Sequence, residues 1–329
     1  MLLRKINKLF KIANRVNLKL DKIDIYLTQV KKLMGGGISI FAKTNNPDMS
    51  RISQILIALL SALLMASCSP KVTVMSFNVR QSKAKEVDPN NSWKNRKEAC
   101  LVMLRETMPD VVGFQEVQMG DQWPFFRDGM QATHDGYAIG RRDGKVKGET
   151  SGFLYNREKL TLLEHGTFWL SETPEKPSLS FDEKYYRSAT WGIFRVAKSN
   201  KHFLYINTHM GLTYKSQTQG FKVILEKLPE LNPNGYPVVI TGDFNVPADH
   251  NAFAQARATM NNALEVAERK ENADAPTYNA WGNERRYAIV DHIWLSKDIK
   301  CLVYVTDNKS YGGHIYISDH YPVIAELKF

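Results

Sequence analysis

The chain has 329 residues, 43% of them hydrophobic, which allows one large domain or two small ones and excludes wholesale disorder. Its formal charge of +10 would by itself point to a nucleic-acid partner, but eleven of the 44 basic residues and three of the 34 acidic ones precede Cys68. The remainder carries a net charge of only about +2, so charge selects no substrate class.

Residues 1–48 are basic, with Leu, Ile and Val recurring among lysines from Leu2 to Val30. Two readings stand: an upstream extension without function, with Met49 as the start, or a basic amphipathic helix on a membrane surface. Arg51–Cys68 reads RISQILIALLSALLMASC, a positive residue, a short apolar run, small residues and then a cysteine. This is the layout of a signal peptide over 49–67, too short for a comfortable membrane span; the other reading is a buried core helix. LMASC resembles the lipobox of bacterial lipoproteins, with Met65 where leucine is usual. That resemblance implies export and acylation at Cys68, leaving residues 68–329 as one domain on the periplasmic or extracellular side. Such a domain is expected to act as a monomer. Cys100 and Cys301 lie in apolar segments; an exported protein could join them, and buried free thiols are the stronger expectation.

From Lys71 onward short β-branched runs alternate with helical or irregular stretches, without internal repeat or linker, which predicts mixed α/β architecture. Strands are expected at Val72–Val79, Asp110–Val117, Ser151–Asn156, Thr190–Val196, His202–His209, Pro237–Val246, Tyr287–Ser296 and Tyr321–Phe329. A helix capped by Ser92, striped by Cys100, Met103 and Leu104 and stopped at Pro109 follows the first strand, and another spans about Gln217–Leu228. So many strands exceed one comfortable open sheet. Two packed sheets with helices outside are the economical arrangement.

Six of these eight strands have a polar cluster at or near one end. These are Asn78, Gln115-Glu116, Asn207-Thr208-His209, Gly242-Asp243-Phe244-Asn245, Asp291-His292 and Ser318-Asp319-His320. Any one could be a turn or a satisfied structural group. Together they offer oxygen and imidazole ligands and almost no thiolate, which suits Mg²⁺, with Mn²⁺ or Ca²⁺ as alternatives, rather than structural zinc. Carboxylates around a hard cation, with two histidines, suit water attack on a phosphate ester.

In order and type these motifs resemble the endonuclease/exonuclease/phosphatase superfamily, which includes pancreatic-type deoxyribonucleases, abasic-site endonucleases, bacterial sphingomyelinases and inositol polyphosphate 5-phosphatases. The resemblance runs from about Val72 to Phe329. It implies a four-layer sandwich of two mixed β-sheets flanked by helices. By the same resemblance Asn78 and Glu116 are the metal-proximal pair, with Glu116 a direct ligand, and Asp319 is metal-linked or one shell out. Asp243 and Asn245 orient water and scissile phosphate. His320 is the catalytic histidine held by Asp291, and His209 contacts phosphate or helps protonate the leaving group. Glu149 in GETSGFLY matches the carboxylate that pairs with that second histidine. Arg187 and Trp191 have two readings: cleft lining with the arginine on phosphate, or Trp191 in the core and Arg187 in a surface ion pair.

Substrate is less legible. Ile289-Val290-Asp291-His292 replaces the Trp-Cys-Asp-Arg segment of the 5-phosphatases, and export disfavours the abasic-site enzymes. Gln122–Phe126, QWPFF, is the only cluster comparable to a sphingomyelinase membrane hairpin, and a core-packing turn or helix is the simpler reading. Extracellular DNA or RNA cleavage is the first expectation, hydrolysis of lipid headgroups or small phosphoesters the second, and a catalytically silent surface module the third. The near-neutral charge of the domain weighs against an extensive phosphate-backbone contact.

Overall fold

The computed structural model describes residues 70–179 and 181–329. The basic segment 1–48, the signal-peptide reading of 49–67 and the acylation site Cys68 all lie outside the described residues.

Two sheets carry the architecture. The first runs, edge to edge, β12 (Arg269–Glu271), β14 (Lys300–Thr306), β15 (Val323–Lys328), β1 (Lys71–Asn78), β2 (Val111–Gln115), β6 (Phe153–Asn156) and β4 (His134–Tyr137). The second runs β11 (Met260–Asn262), β13 (Asp291–Ser296), β10 (Val238–Asp243), β9 (His202–His209), β8 (Ser188–Val196) and β7 (Leu160–Trp169). A short ribbon pairs β3 (Val117–Gln118) with β5 (Glu149–Thr150). Each sheet has a parallel pair at its centre, β1 with β2 and β9 with β10, while its other pairings are almost all antiparallel. A parallel pair needs a crossover. Helices α1 (Trp93–Thr107) and α3 (Tyr214–Leu231) supply the two crossovers.

Alternation along the strands explains the four layers. In β1 Val72 and Val74 join Tyr205, Val239 and Ile293 in a core between the sheets, while Met75 and Phe77 pack outward with Cys100, Met103 and Leu104 of α1. In the second sheet Leu204, Ile206 and Ile240 face outward onto Phe221 and Ile224 of α3. Every central strand is therefore apolar on both faces, as sheets covered on both sides require. The expected sandwich is the observed one. QWPFF opens helix α2 (Gln122–Met130), with Trp123 and Phe126 buried, and is core rather than a membrane hairpin.

Several local expectations change. Ser92 occupies the N-cap of α1, but its side chain makes no capping bond; the helix ends with Met108 in the left-handed region. The capping bonds predicted there occur instead in α3, where Thr213 and Ser216 bond reciprocally. Cys100 and Cys301 are both buried free thiols. Six strands, β4, β5, β7, β11, β12 and β14, lie outside all of the predicted segments; the two longest, β7 and β14, carry a register break, between Leu162 and Glu164 and between Cys301 and Val303. A bulge interrupts the period-two pattern on which strand prediction rests.

The sheets approach closely beside Gly113 of β2. A Cβ there would overlap the Asn207 side chain and the Tyr205 hydroxyl. Asn207 uses that space to bridge the layers: its Nδ2 donates to Phe114 O at 2.8 Å and Ser151 O at 2.9 Å, and its Oδ1 accepts from Gln115 Nε2 at 2.7 Å. Gly113→Ala is expected to destabilise the domain by about 1–3 kcal/mol, the usual cost of overpacking, read as a lowered thermal midpoint. An unchanged midpoint would contradict the close approach.

Candidate active site

Strand register assembles the site. Asp243, the last residue of β10, is paired with His209 on β9 and with Asp291 on β13. Directly paired residues point to the same face of a sheet, so these three side chains rise side by side toward the first sheet. From there Asn78, the last residue of β1, donates Nδ2 to Asp243 Oδ2 at 2.8 Å and lies 3.4 Å from Glu116 Oε1. His320, just before β15, bonds Asp291 Oδ2 through Nδ1 at 2.8 Å, and its Nε2 is 3.8 Å from Asp243 Oδ2. His209 Nε2 lies 3.5 Å from that same oxygen. One carboxylate oxygen is thus the meeting point of Asn78 and both histidines.

The surrounding backbone is tied down. Thr277 Oγ1 accepts the N–H groups of Val290 and Asp291, and Ser318 Oγ donates to Asn78 O at 2.7 Å. Arg96, fully buried between the Trp93 and Trp281 rings, donates to Val79 O, Arg80 O and Ile317 O. It clamps the chain leaving β1 to the segment that carries Asp319 and His320. Glu116 and Asn245, each just beyond a central strand, both have left-handed backbone, with φ of 62° and 57°. That conformation is strained for residues other than glycine. It turns the Glu116 carboxylate to accept Gln81 N–H at 3.0 Å, and lets Asn245 donate its N–H to Asp243 Oδ1 at 2.9 Å.

Burial and charge then divide the titratable groups. Burial raises Asp243 to about 7, against the opposing pull of His320. Burial alone would lower His320, but the Asp291, Asp243 and Asp319 carboxylates outweigh it and push it up to about 10. His209 is held well below the ordinary histidine range by burial and by the nearby Arg187 and Arg141 charges. Near neutral pH the site therefore holds a carboxylate poised to take a proton, an imidazolium and a neutral imidazole, a separation suited to acid–base work.

The residues also fit a hard divalent cation. Glu116 and Asp319 offer carboxylate oxygens, and burial together with the Glu116 charge raises Asp319, a field that a cation would relieve. Arg80 answers part of it, 3.5 Å from Asp319 Oδ2, while also pairing with Glu86 at 2.8 Å. Ligand atoms of Asp243, Asp291 and His320 also lie within 4.8 Å of one another. The His320 imidazolium is already bonded to Asp291, however, which makes that trio a proton-handling group and the Glu116–Asp319 side the better cation seat.

Among the sequence-predicted residues, Asn78, Glu116, His209, Asp243, Asn245, Asp291, Asp319 and His320 come together around this point. Glu149 is close by but does not pair with His209. Its Oε2 takes Arg141 Nη2 at 2.8 Å, because an adjacent guanidinium is the stronger partner for a carboxylate, and His209 Nδ1 is left buried without a bond among the described residues. Arg187 is not a surface ion pair: it is 6% exposed and has no carboxylate partner among the described residues. Trp191 is half-buried against the core under α3. His292 faces away, bonding Val246 O through Nε2 inside that same core. Arg80, Arg96, Arg141 and Thr277 escaped sequence reasoning; of these only Arg80, adjoining the Asn78 motif, carried a positional signal.

Comparison with known proteins places the chain in a family. The Endonuclease/Exonuclease/phosphatase family model matches residues 75–320. The chain belongs to that family. An uncharacterized mimivirus protein is 21% identical over 266 residues, covering 76% of this chain and 98% of its own. Among solved structures, an endonuclease/exonuclease/phosphatase from Bacteroides vulgatus is 27% identical with a TM-score of 0.73, over 79% of this chain and 99% of its own. A mannosyl-6-phosphatase from Bacteroides thetaiotaomicron is 28% identical with a TM-score of 0.70, over 78% and 100%. Members of the family are hydrolytic phosphoesterases, both phosphatases and nucleases, and divalent-metal dependence is common among them.

The His320 shift has a definite sign. The folded state favours the imidazolium relative to an unfolded chain titrating near 6.5, so its stabilisation is complete below about pH 6.5 and is lost as pH rises toward about 10. The gap in melting temperature between the wild type and His320→Gln should be larger at pH 6 than at pH 9.5. A gap that widens with pH would contradict the assignment.

Proposed function

We propose that the chain is a divalent-metal-dependent phosphoester hydrolase acting on a small phosphorylated molecule. The carrying observation is the convergence of Asn78, His209 and His320 on one oxygen of the buried Asp243. In this reading Asp243, oriented by the Asn245 N–H, accepts a proton from the attacking water. His320, kept charged by Asp291, donates a hydrogen bond to a phosphoryl oxygen, and Asn78 fixes Asp243 against Glu116. His209 stands where it can contact the phosphoryl group or assist the leaving oxygen. A Mg²⁺ ion, or Mn²⁺ or Ca²⁺, held by Glu116 and Asp319 would supply charge neutralisation at the phosphoryl oxygens.

A small substrate accords better with the molecule than the nucleic acid expected first. The site side chains lie largely out of solvent, and the domain has about as many acidic as basic residues, whereas a polymer backbone is held by clustered cations. The mannosyl-6-phosphatase likeness supports the same class and makes sugar phosphates the first compounds to try. Export, acylation at Cys68 and action as a monomer belong to this proposal. Acylation is checked by the intact mass of the native protein, which should start at Cys68 with added lipid.

With Mg²⁺ the protein should release inorganic phosphate from hexose phosphates and leave plasmid DNA intact. EDTA should abolish release, and Asp243→Asn or His320→Ala should lower kcat by about 10²–10⁴-fold. Salt-sensitive plasmid nicking with no release from small esters would replace this reading with the nuclease one.

A further inference from the structure

Arg80 lies just past Asn78, the last residue of β1, and its backbone is fixed from three directions. Its N–H donates to Asn78 Oδ1 at 3.0 Å, and its carbonyl accepts from Arg96 Nη2 at 2.7 Å and from Gln122 Nε2 at 3.0 Å. With φ of 56° it is held in the left-handed region, where residues other than glycine are strained. Backbone so constrained aims one long side chain at the cation seat. Nη1 lies 3.5 Å from Asp319 Oδ2, and Nε donates to Glu86 Oε1 at 2.8 Å.

These two contacts are unequal. The bond to Glu86 is a short, charge-assisted one, and Glu86 is itself anchored: its side chain is 7% exposed, and its Oε2 accepts Trp281 Nε1 at 3.1 Å. The contact with Asp319 is longer than a good hydrogen bond and acts mainly through charge. Across the seat Glu116 accepts only neutral donors among the described residues, Asn78 Nδ2 at 3.4 Å and Gln81 N–H at 3.0 Å. Arg80 is therefore, among the described residues, the only cation within ion-pair distance of either Asp319 or Glu116. Two positive charges packed against one carboxylate repel, and the more so the less water lies between them. Arg80 and a divalent cation are thus alternative answers to the same negative charge. A small rotation of the Arg80 side chain, 32% exposed, lengthens the Asp319 contact and keeps the Glu86 bond.

We propose that Arg80 is a resident counter-charge that competes with the divalent cation for Asp319 and so lowers its affinity, with Glu86 retaining the guanidinium when the cation is bound. This rests on the cation reading above and adds what sets the strength of binding.

The test is calorimetric titration of Mg²⁺ and Mn²⁺ into the metal-stripped full chain, beside Arg80→Gln, Arg80→Lys and Glu86→Gln, with thermal midpoints in EDTA and in excess Mg²⁺. Arg80→Gln should bind Mg²⁺ about 5–20-fold more tightly, on the order of the coupling between two charges a few ångströms apart. Arg80→Lys, which keeps the charge, should return most of the way to the wild-type affinity. Glu86→Gln should weaken Mg²⁺ binding several-fold, because the guanidinium then turns wholly to Asp319. In EDTA Arg80→Gln should melt below the wild type, and excess Mg²⁺ should narrow that gap, since the cation takes over the charge that Arg80 answered. A wild type that binds Mg²⁺ while Arg80→Gln binds it no more tightly, or a melting gap that Mg²⁺ leaves unchanged, overturns the inference and leaves the cation reading standing. Binding of neither metal by the wild type or by Arg80→Gln contradicts the cation reading itself, and the inference with it.

Discussion

Three carboxylates, Asp243, Asp291 and Asp319, are almost wholly removed from water at one end of a two-sheet sandwich, and much of the local structure exists to answer their charge. Burying an ionised carboxylate without partners is prohibitive. Each therefore has an assigned counterpart: His320 for Asp291, Asn78 and the Asn245 N–H for Asp243, and Arg80 for Asp319. The answer is incomplete by design of the register. Asp291 Oδ1 has no bond among the described residues, and burial raises Asp243 to about 7. That shortage of positive charge is what the proposed divalent cation would relieve.

The two sheets contribute in parallel ways. In each, a strand–helix–strand unit places a polar residue at the end of one central strand and an acid at or just beyond the end of the next: Asn78 with Glu116, and His209 with Asp243. Both units close with a left-handed residue, Glu116 or Asn245. The facing of these two ends brings Asn78 and Glu116 of one sheet toward His209, Asp243 and Asp291 of the other, with Asp319 and His320 arriving on the segment before β15. Asn207, bonded across to Phe114 and Gln115, sets the distance between them, and Gly113 permits it.

Much of this was legible in the sequence because the chemistry sits at strand ends. Runs such as His202–His209 are apolar up to the point where a polar cluster begins, and the structure places that strand at the predicted bounds. Less legible were the strands with bulges, β7 and β14, whose alternation breaks partway. The charge partners were hidden for a different reason. Arg141 and Arg187 lie in segments whose composition reads as surface loop, and only the folded arrangement shows that one is taken by Glu149 while the other is enclosed without a partner among the described residues. The same competition removed Glu149 from His209, which no linear spacing could reveal.

The central claim is that this buried acid cluster is completed by a divalent cation seated on the Glu116 and Asp319 side. Calorimetric titration of Mg²⁺ and Mn²⁺ into the metal-stripped full-length protein, beside Glu116→Gln and Asp319→Asn, tests it most directly. The account predicts a saturable site in the wild type, weakened at least tenfold in Glu116→Gln, on the order expected when a coordinating group is lost, and weakened also in Asp319→Asn. Equal affinity in all three proteins, or no binding by the wild type, would contradict it.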